Sequence, residues 1–211
     1  SGGMGRSWLD KGGVYVVANI RGGGEYGPRW HQAALKQNRH KAYEDFAAVA
    51  QDLVKRGITA PRHLGIQGGS NGGLLTGNML TQYPELFGAV VVQVPLLDMK
   101  RYNKLLAGAS WMAEYGDPDK PEEWAFIQKF SPYHLFDPAR TYPPVLFTTS
   151  TRDDRVHPGH ARKMAARMIE AGKDVDYYEN IEGGHGGAAN NAQAAHMSAL
   201  AYSFLWDKLS R

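Results

Sequence analysis

The sequence predicts an α/β chain, an open and mostly parallel sheet with helices on both faces. Three observations carry this. Apolar runs of strand length alternate along the chain with segments of helical period, the order that builds a sheet from strand, crossover helix and strand. Most of those runs do not alternate polar with apolar residues, so both faces of each strand must be covered, as in parallel sheets. The length of 211 residues, with 43% hydrophobic and 21% charged, fits one domain against a norm of roughly 150 residues each.

The elements follow in order. Ser1-Gly2-Gly3-Met4-Gly5 has no periodicity and reads as a cloning scar or the stump of a longer protein, which leaves 6–211 as the domain. Val14 to Asn19 (VYVVAN) is the first expected strand and Leu64 to Gln67 the second. Between them Ala42, Phe46, Val49, Ala50 and Leu53 recur at three- and four-residue spacing ahead of Gly57, which predicts one amphipathic helix with a glycine stop. A second helix is expected from Asn71 to Tyr83, ended by Pro84, and a third strand from Ala89 to Val94. Residues 100–140 are rich in Trp, Tyr, Pro and charge and read as a long excursion with short helices. Val145 to Thr149 is the fourth strand, Gly159 to Ala171 a helix stopped by Gly172, Val175 to Tyr178 the fifth strand, and Asn190 to Leu209 the last helix. No internal repeat, low-complexity stretch or linker divides the chain.

Composition removes several function classes. The 24 Lys+Arg and 21 Asp+Glu give a net charge of +3 with both signs mixed along the chain, so no basic block marks a nucleic-acid or membrane partner. The absence of cysteine excludes disulfide frameworks, thiolate metal sites and a cysteine nucleophile. It suits cytosol or periplasm alike, and a cytoplasmic protein is the expectation, with the periplasm as alternative. No apolar run approaches the ~18 to 20 residues of a membrane span, and the N-terminus lacks the order of a signal peptide.

Chemistry concentrates in three places. Gly68-Gly69-Ser70-Asn71-Gly72-Gly73 follows a predicted strand, precedes a predicted helix and fits G-x-S-x-G, a nucleophile elbow in which small neighbours let a sharp turn push the serine Oγ out above the strand ends. The backbone N–H of Asn71 would then face an oxyanion, with the helix dipole behind it. No phosphate loop competes, because neither glycine run is followed by Lys-Ser or Lys-Thr. Further along, a carboxylate lies at a strand end in Ser150-Thr151-Arg152-Asp153-Asp154-Arg155-Val156, and an imidazole sits in Gly183-Gly184-His185-Gly186-Gly187. Serine, acid and histidine thus come in the order of open α/β hydrolases, with the imidazole as base and the carboxylate fixing its tautomer. Spacing leaves Asp153 and Asp154 equivalent as the acid, the other being expected to cap a helix or pair with an arginine. His31, His40, His63, His134 and His196 read as surface or packing residues, and His157 with His160 lacks a third ligand at metal-site spacing.

Together with Ala18-Asn19-Ile20-Arg21-Gly22-Gly23-Gly24-Glu25-Tyr26-Gly27, these motifs resemble the catalytic domain of the prolyl oligopeptidase family of serine peptidases, from about Trp8 to the C-terminus. The resemblance implies an α/β-hydrolase fold, a triad of Ser70, Asp153 and His185, and no metal, nucleotide or flavin. It implies that Arg155 holds a substrate carbonyl, that Trp111 ahead of Tyr115-Gly116 stacks on a proline ring, and that Tyr115 and Val156 line the same substrate site. The expected activity is cleavage of short peptides after proline, with a less selective esterase or acyl-aminoacyl-type peptidase, or an inactive fragment or non-catalytic interaction domain, as alternatives. Family members also carry a β-propeller, early strands and an oxyanion tyrosine that this sequence lacks; such a donor is worth roughly 3 to 4 kcal/mol at the transition state. One missing strand belongs between Val14 to Asn19 and Leu64 to Gln67, so exposed edges there are expected to re-pair or to bind a second copy.

Overall fold

The computed structural model describes residues 2–211; of the expected remnant, Ser1 lies outside the described residues. In chain order the elements are helices α1 (Gly2–Ser7), α2 (Pro28–Gln32) and α3 (His40–Lys55), strand β1 (Gly65–Gly69), helix α4 (Asn71–Gln82) and strand β2 (Ala89–Gln93). Short helices α5 (Met112–Tyr115), α6 (Pro121–Ile127) and α7 (Pro132–Leu135) fill the aromatic excursion. Strand β3 (Val145–Ser150), helix α8 (Gly159–Glu170), strand β4 (Val175–Asn180) and helix α9 (Asn191–Leu209) complete the chain. The N-terminal segment read as lacking periodicity is thus partly helical.

The sheet is parallel throughout, in the order β1-β2-β3-β4. Its two-faced apolar strands divide their side chains as the sequence requires. Val90, Val92, Val145 and Phe147 face one core with Leu74, Met79 and Leu80 of α4, Ala47 and Ala50 of α3, and Met164 and Met168 of α8. Ala89, Val91 and Leu146 face the other, covered by Ala201, Phe204, Leu205 and Leu209 of α9. Helix spacing explains the partners: Ala42, Ala50 and Leu53 of α3 fall on one stripe, as do Ala161, Met164, Ala165 and Met168 of α8. Asn190 caps α9 by accepting from the Gln193 N–H at 2.9 Å, and α4 ends just before Pro84, whose ring disfavours helix in the residue ahead of it.

One expected strand is absent among the described residues. Val14 to Asn19 enters no ladder, and Val14, Tyr15, Val16 and Val17 are exposed, Val17 by 74%. Between this segment and β1 lies a cavity of about 280 Å³ lined by Val14 to Ala18, Phe46, Leu53, Ile66 and Leu205 among others. The physical reason is spacing. Paired strands lie ~4.8 Å apart, and an apolar gap separates this ribbon from the edge of β1. The ribbon has the composition of a buried strand and no neighbour to pair with, and it does not re-pair with β1. No helix among the described residues is long and apolar enough to cross a membrane.

Candidate active site

Three loops at the carboxyl ends of strands converge, where open α/β sheets place their ligands. The first is the turn from β1 to α4. The β1–β2 ladder continues into it, with the Ser70 N–H donating to the Gln93 carbonyl at 2.9 Å, and Ser70 itself has φ 59° and ψ −111°. A serine here stores strain, and the flanking glycines make the turn feasible. A Cβ on Gly68 would stand 2.3 Å from the Gly72 carbonyl oxygen, and one on Gly73 2.7 Å from Pro95 Cβ. The two ends of the turn therefore leave no space for side chains, whereas a Cβ on Gly69 or Gly72 between them would meet nothing closer than 3.7 Å, and Ser70 is carried at its apex.

The second loop follows β3. Asp153 is 4% exposed, and its Oδ1 accepts the backbone N–H groups of Arg155 and Val156, both at 2.9 Å. The third follows β4 and is organised by Asn180 at the strand end. Its Oδ1 accepts from the Glu182 and Gly183 N–H groups at 2.9 Å, and its Nδ2 donates to the Gly187 carbonyl and to Gln193 Oε1. This loop presents His185, whose Nδ1 lies 2.9 and 3.1 Å from the two Asp153 carboxylate oxygens and whose Nε2 lies 3.1 Å from Ser70 Oγ. A single imidazole thus joins a hydroxyl and a buried carboxylate. With the proton on Nδ1, Nε2 is free to accept the serine proton.

Around this line the predicted residues separate. The Asn71 N–H has no acceptor among the described residues, as an oxyanion donor at the start of a helix requires, while its side chain is held by other groups: Oδ1 accepts from Arg39 Nη2 at 2.9 Å and from the Tyr115 hydroxyl. Arg155 is exposed, and its carbonyl accepts the Ala107 N–H at 3.2 Å, tying the turn that leads to Trp111 onto the Asp153 loop. Trp111 is partly exposed and packs on the main core. Val156 is 2% exposed within the core, and its N–H donates to Asp153 Oδ1. Tyr115 is 3% exposed between Tyr102 and Phe130; burial pushes its phenol up from its ordinary range, which keeps the hydroxyl a donor to Asn71. Asp154 is exposed and, among the described residues, neither caps a helix nor pairs with an arginine. His160 is 1% exposed and accepts the N–H groups of Leu97 and Asp98 at Nδ1, and no cluster of metal-ligating side chains occurs among the described residues.

Sequence reasoning missed Arg39 and Asn180. Asn180 had a readable signal, a polar amide at a strand end ahead of a glycine-rich loop, which favours side-chain turns. Arg39 had none, because its acidic partner Glu114 is 75 residues away.

The profile of the prolyl oligopeptidase family matches residues 4–211. An uncharacterized peptidase of Sinorhizobium fredii is 56% identical over 98% of this chain, and a prolyl endopeptidase of Elizabethkingia miricola is 39% identical over 93%. The structure of a post-proline cleaving enzyme from Rickettsia typhi superposes with a TM-score of 0.96 at 43% identity, over 98% of this chain and 30% of that one. The chain spans 28% of the length of both curated relatives.

Proposed function

The chain belongs to the prolyl oligopeptidase family, and from that premise we propose that residues 6–211 act as the catalytic domain of a serine peptidase cutting short peptides on the carboxyl side of proline. The observation that carries the reading is the single imidazole of His185 within hydrogen-bond reach of both Ser70 Oγ and the buried Asp153 carboxylate. Ser70 Oγ attacks the carbonyl carbon of the bond after proline while His185 Nε2 takes its proton. Asp153 holds the Nδ1 proton and stabilises the imidazolium that forms. The Asn71 N–H, aimed outward at the first turn of α4, binds the oxyanion. Collapse of the tetrahedral intermediate passes the proton from His185 to the leaving amine and leaves the acyl group on Ser70 Oγ. Water then attacks that ester through the same base, restoring the serine.

For specificity, Trp111 is the proline platform and Arg155 the grip on a substrate carbonyl. Proline's ring offers no hydrogen bond, so its recognition rests on shape and a flat apolar surface. The partners of this reading are a peptide substrate and, in a longer protein of the kind its relatives represent, a propeller over the site. Less selective hydrolysis of small esters is the second reading, favoured by the exposure of Asn71 and the partial exposure of Ser70 and His185.

The test is labelling with a fluorophosphonate followed by peptide mapping, with Ser70→Ala as control, and then turnover of matched substrates with proline or arginine before the scissile bond. Stoichiometric labelling at Ser70 and preference for proline are expected. A folded chain that does not label would overturn the hydrolase reading, and equal turnover of both substrates would overturn the proline claim.

A further inference from the structure

We propose that Arg39 is a positioning residue for the oxyanion site: by clamping the side chain of Asn71 it aims the Asn71 N–H at the developing charge. This rests on the serine hydrolase reading above and adds a residue to it.

Arg39 is 4% exposed just ahead of α3. A buried guanidinium is costly unless its nitrogens are engaged, and here all three are, each with a different group. Nε donates to the Tyr43 hydroxyl at 3.3 Å, Nη1 to Glu114 Oε1 at 2.9 Å and Nη2 to Asn71 Oδ1 at 2.9 Å. The guanidinium also lies over the Tyr115 ring, 5.3 Å from its centroid. Packing needs none of this, since an apolar side chain would fill the same space without a charge to satisfy. What the guanidinium supplies is direction.

That direction converges on one atom. Asn71 Oδ1 receives both Arg39 and the Tyr115 hydroxyl, so its two lone pairs are filled by donors from outside its own helix. An amide oxygen held twice cannot swing. Its Cα carries the N–H that must point at the oxyanion, and the orientation of that peptide plane is set by ψ of Ser70, which lies in a strained region with φ 59°. Within α4 this plane is held at one end only, where the Leu74 N–H donates to the Ser70 carbonyl at 3.1 Å, because the first amides of a helix have no partner within it. The clamp adds a second restraint, from the side chain of Asn71. It is itself anchored: Glu114 Oε2 lies 3.2 Å from His31 Nε2, and His31 Nδ1 lies 2.9 Å from the Gly22 carbonyl. Arg39 and Glu114 thereby tie the glycine-rich loop, α5 and the elbow into one unit.

The experiment measures the second-order rate of fluorophosphonate labelling at Ser70 in the 211-residue chain, in Arg39→Met, in Asn71→Ala and in the double variant, with thermal unfolding of each. Asn71→Ala keeps the N–H and removes only what the clamp grips. Both single variants are expected to label roughly 10- to 100-fold more slowly, short of the 10²- to 10³-fold cost of deleting a donor. The double variant is expected to be no slower than either, since the two residues act as a unit. Folded single variants that label at the original rate would overturn the proposal, and so would a double variant whose losses multiply. If Arg39→Met does not fold, Tyr115→Phe with Asn71→Ala decides in the same way, unchanged rates counting against the clamp. A starting chain that does not label removes the hydrolase reading itself, and the clamp with it.

Discussion

Acidification from pH 8 to pH 4 is expected to destabilise this fold by about 3 kcal/mol through His160 alone. Burial pushes this imidazole down from 6.5 to about 4, and the contacts explain why the charged form is excluded. Nδ1 is already the acceptor for the Leu97 and Asp98 N–H groups at 3.1 and 3.0 Å, so protonating it breaks two hydrogen bonds and leaves two buried donors unsatisfied. Asp98 and Asp153 pull in the opposite direction and Lys163 and His157 reinforce the shift, without reversing it. Because the folded value lies below the unfolded one, the stability is complete above about 6.5, is lost as the pH falls toward 4, and changes little below it. Two and a half units at ~1.4 kcal/mol each, half-titrated at the lower limit, give about 3 kcal/mol. The assay is urea unfolding followed by tryptophan fluorescence across that range, for the chain and for His160→Asn, whose Oδ1 can accept the same two N–H groups without titrating. The variant is expected to start less stable at pH 8 and to lose about 3 kcal/mol less by pH 4. Parallel curves for the two proteins would refute the reasoning.

Two further outcomes follow from the same contacts. Asp153→Asn should lower kcat toward peptide substrates by about 10⁴ with little change in KM, because an amide facing His185 Nδ1 favours the wrong tautomer; steady-state kinetics checks this, and a loss under tenfold would count against Asp153 as the orienting acid. Concentrated chain should associate through the open edge of β1 beside the exposed Val14 to Val17 ribbon, with a mass that rises with concentration in light scattering and falls back in Val17→Lys. A mass that stays monomeric at every concentration would refute it.

The parts of this fold that were legible in the sequence are those specified by their own neighbours in the chain. The stripe of Ala42, Ala50 and Leu53 predicts α3, and the elbow announces itself because Gly68 and Gly73 are required within four residues of Ser70 by contacts at 2.3 and 2.7 Å. The order of serine, acid and imidazole was readable because each follows its own strand. Val14 to Asn19 shows the converse. Its composition is that of a strand, but a strand is a relation between two segments, and β1 stands across an apolar gap from it. Local propensity therefore named the segment's preference and could not supply its partner.

The same division separates the two kinds of residue at the site. In the function proposed above Ser70, Asp153 and His185 carry the chemistry, and chemistry restricts residue type so tightly that a motif survives in the sequence. The groups that aim them are restricted only by geometry. Asp153 is held by two backbone amides, which any residue at positions 155 and 156 other than proline can provide, and Asn71 is held by Arg39 and Tyr115, 32 and 44 residues away. Tyr115 and Val156 show this restraint directly: both are buried, and each donates to a residue of the proposed site, the Tyr115 hydroxyl to Asn71 Oδ1 and the Val156 N–H to Asp153 Oδ1. A motif names residues by type, whereas burial and hydrogen-bond partners say which of them are held and by what.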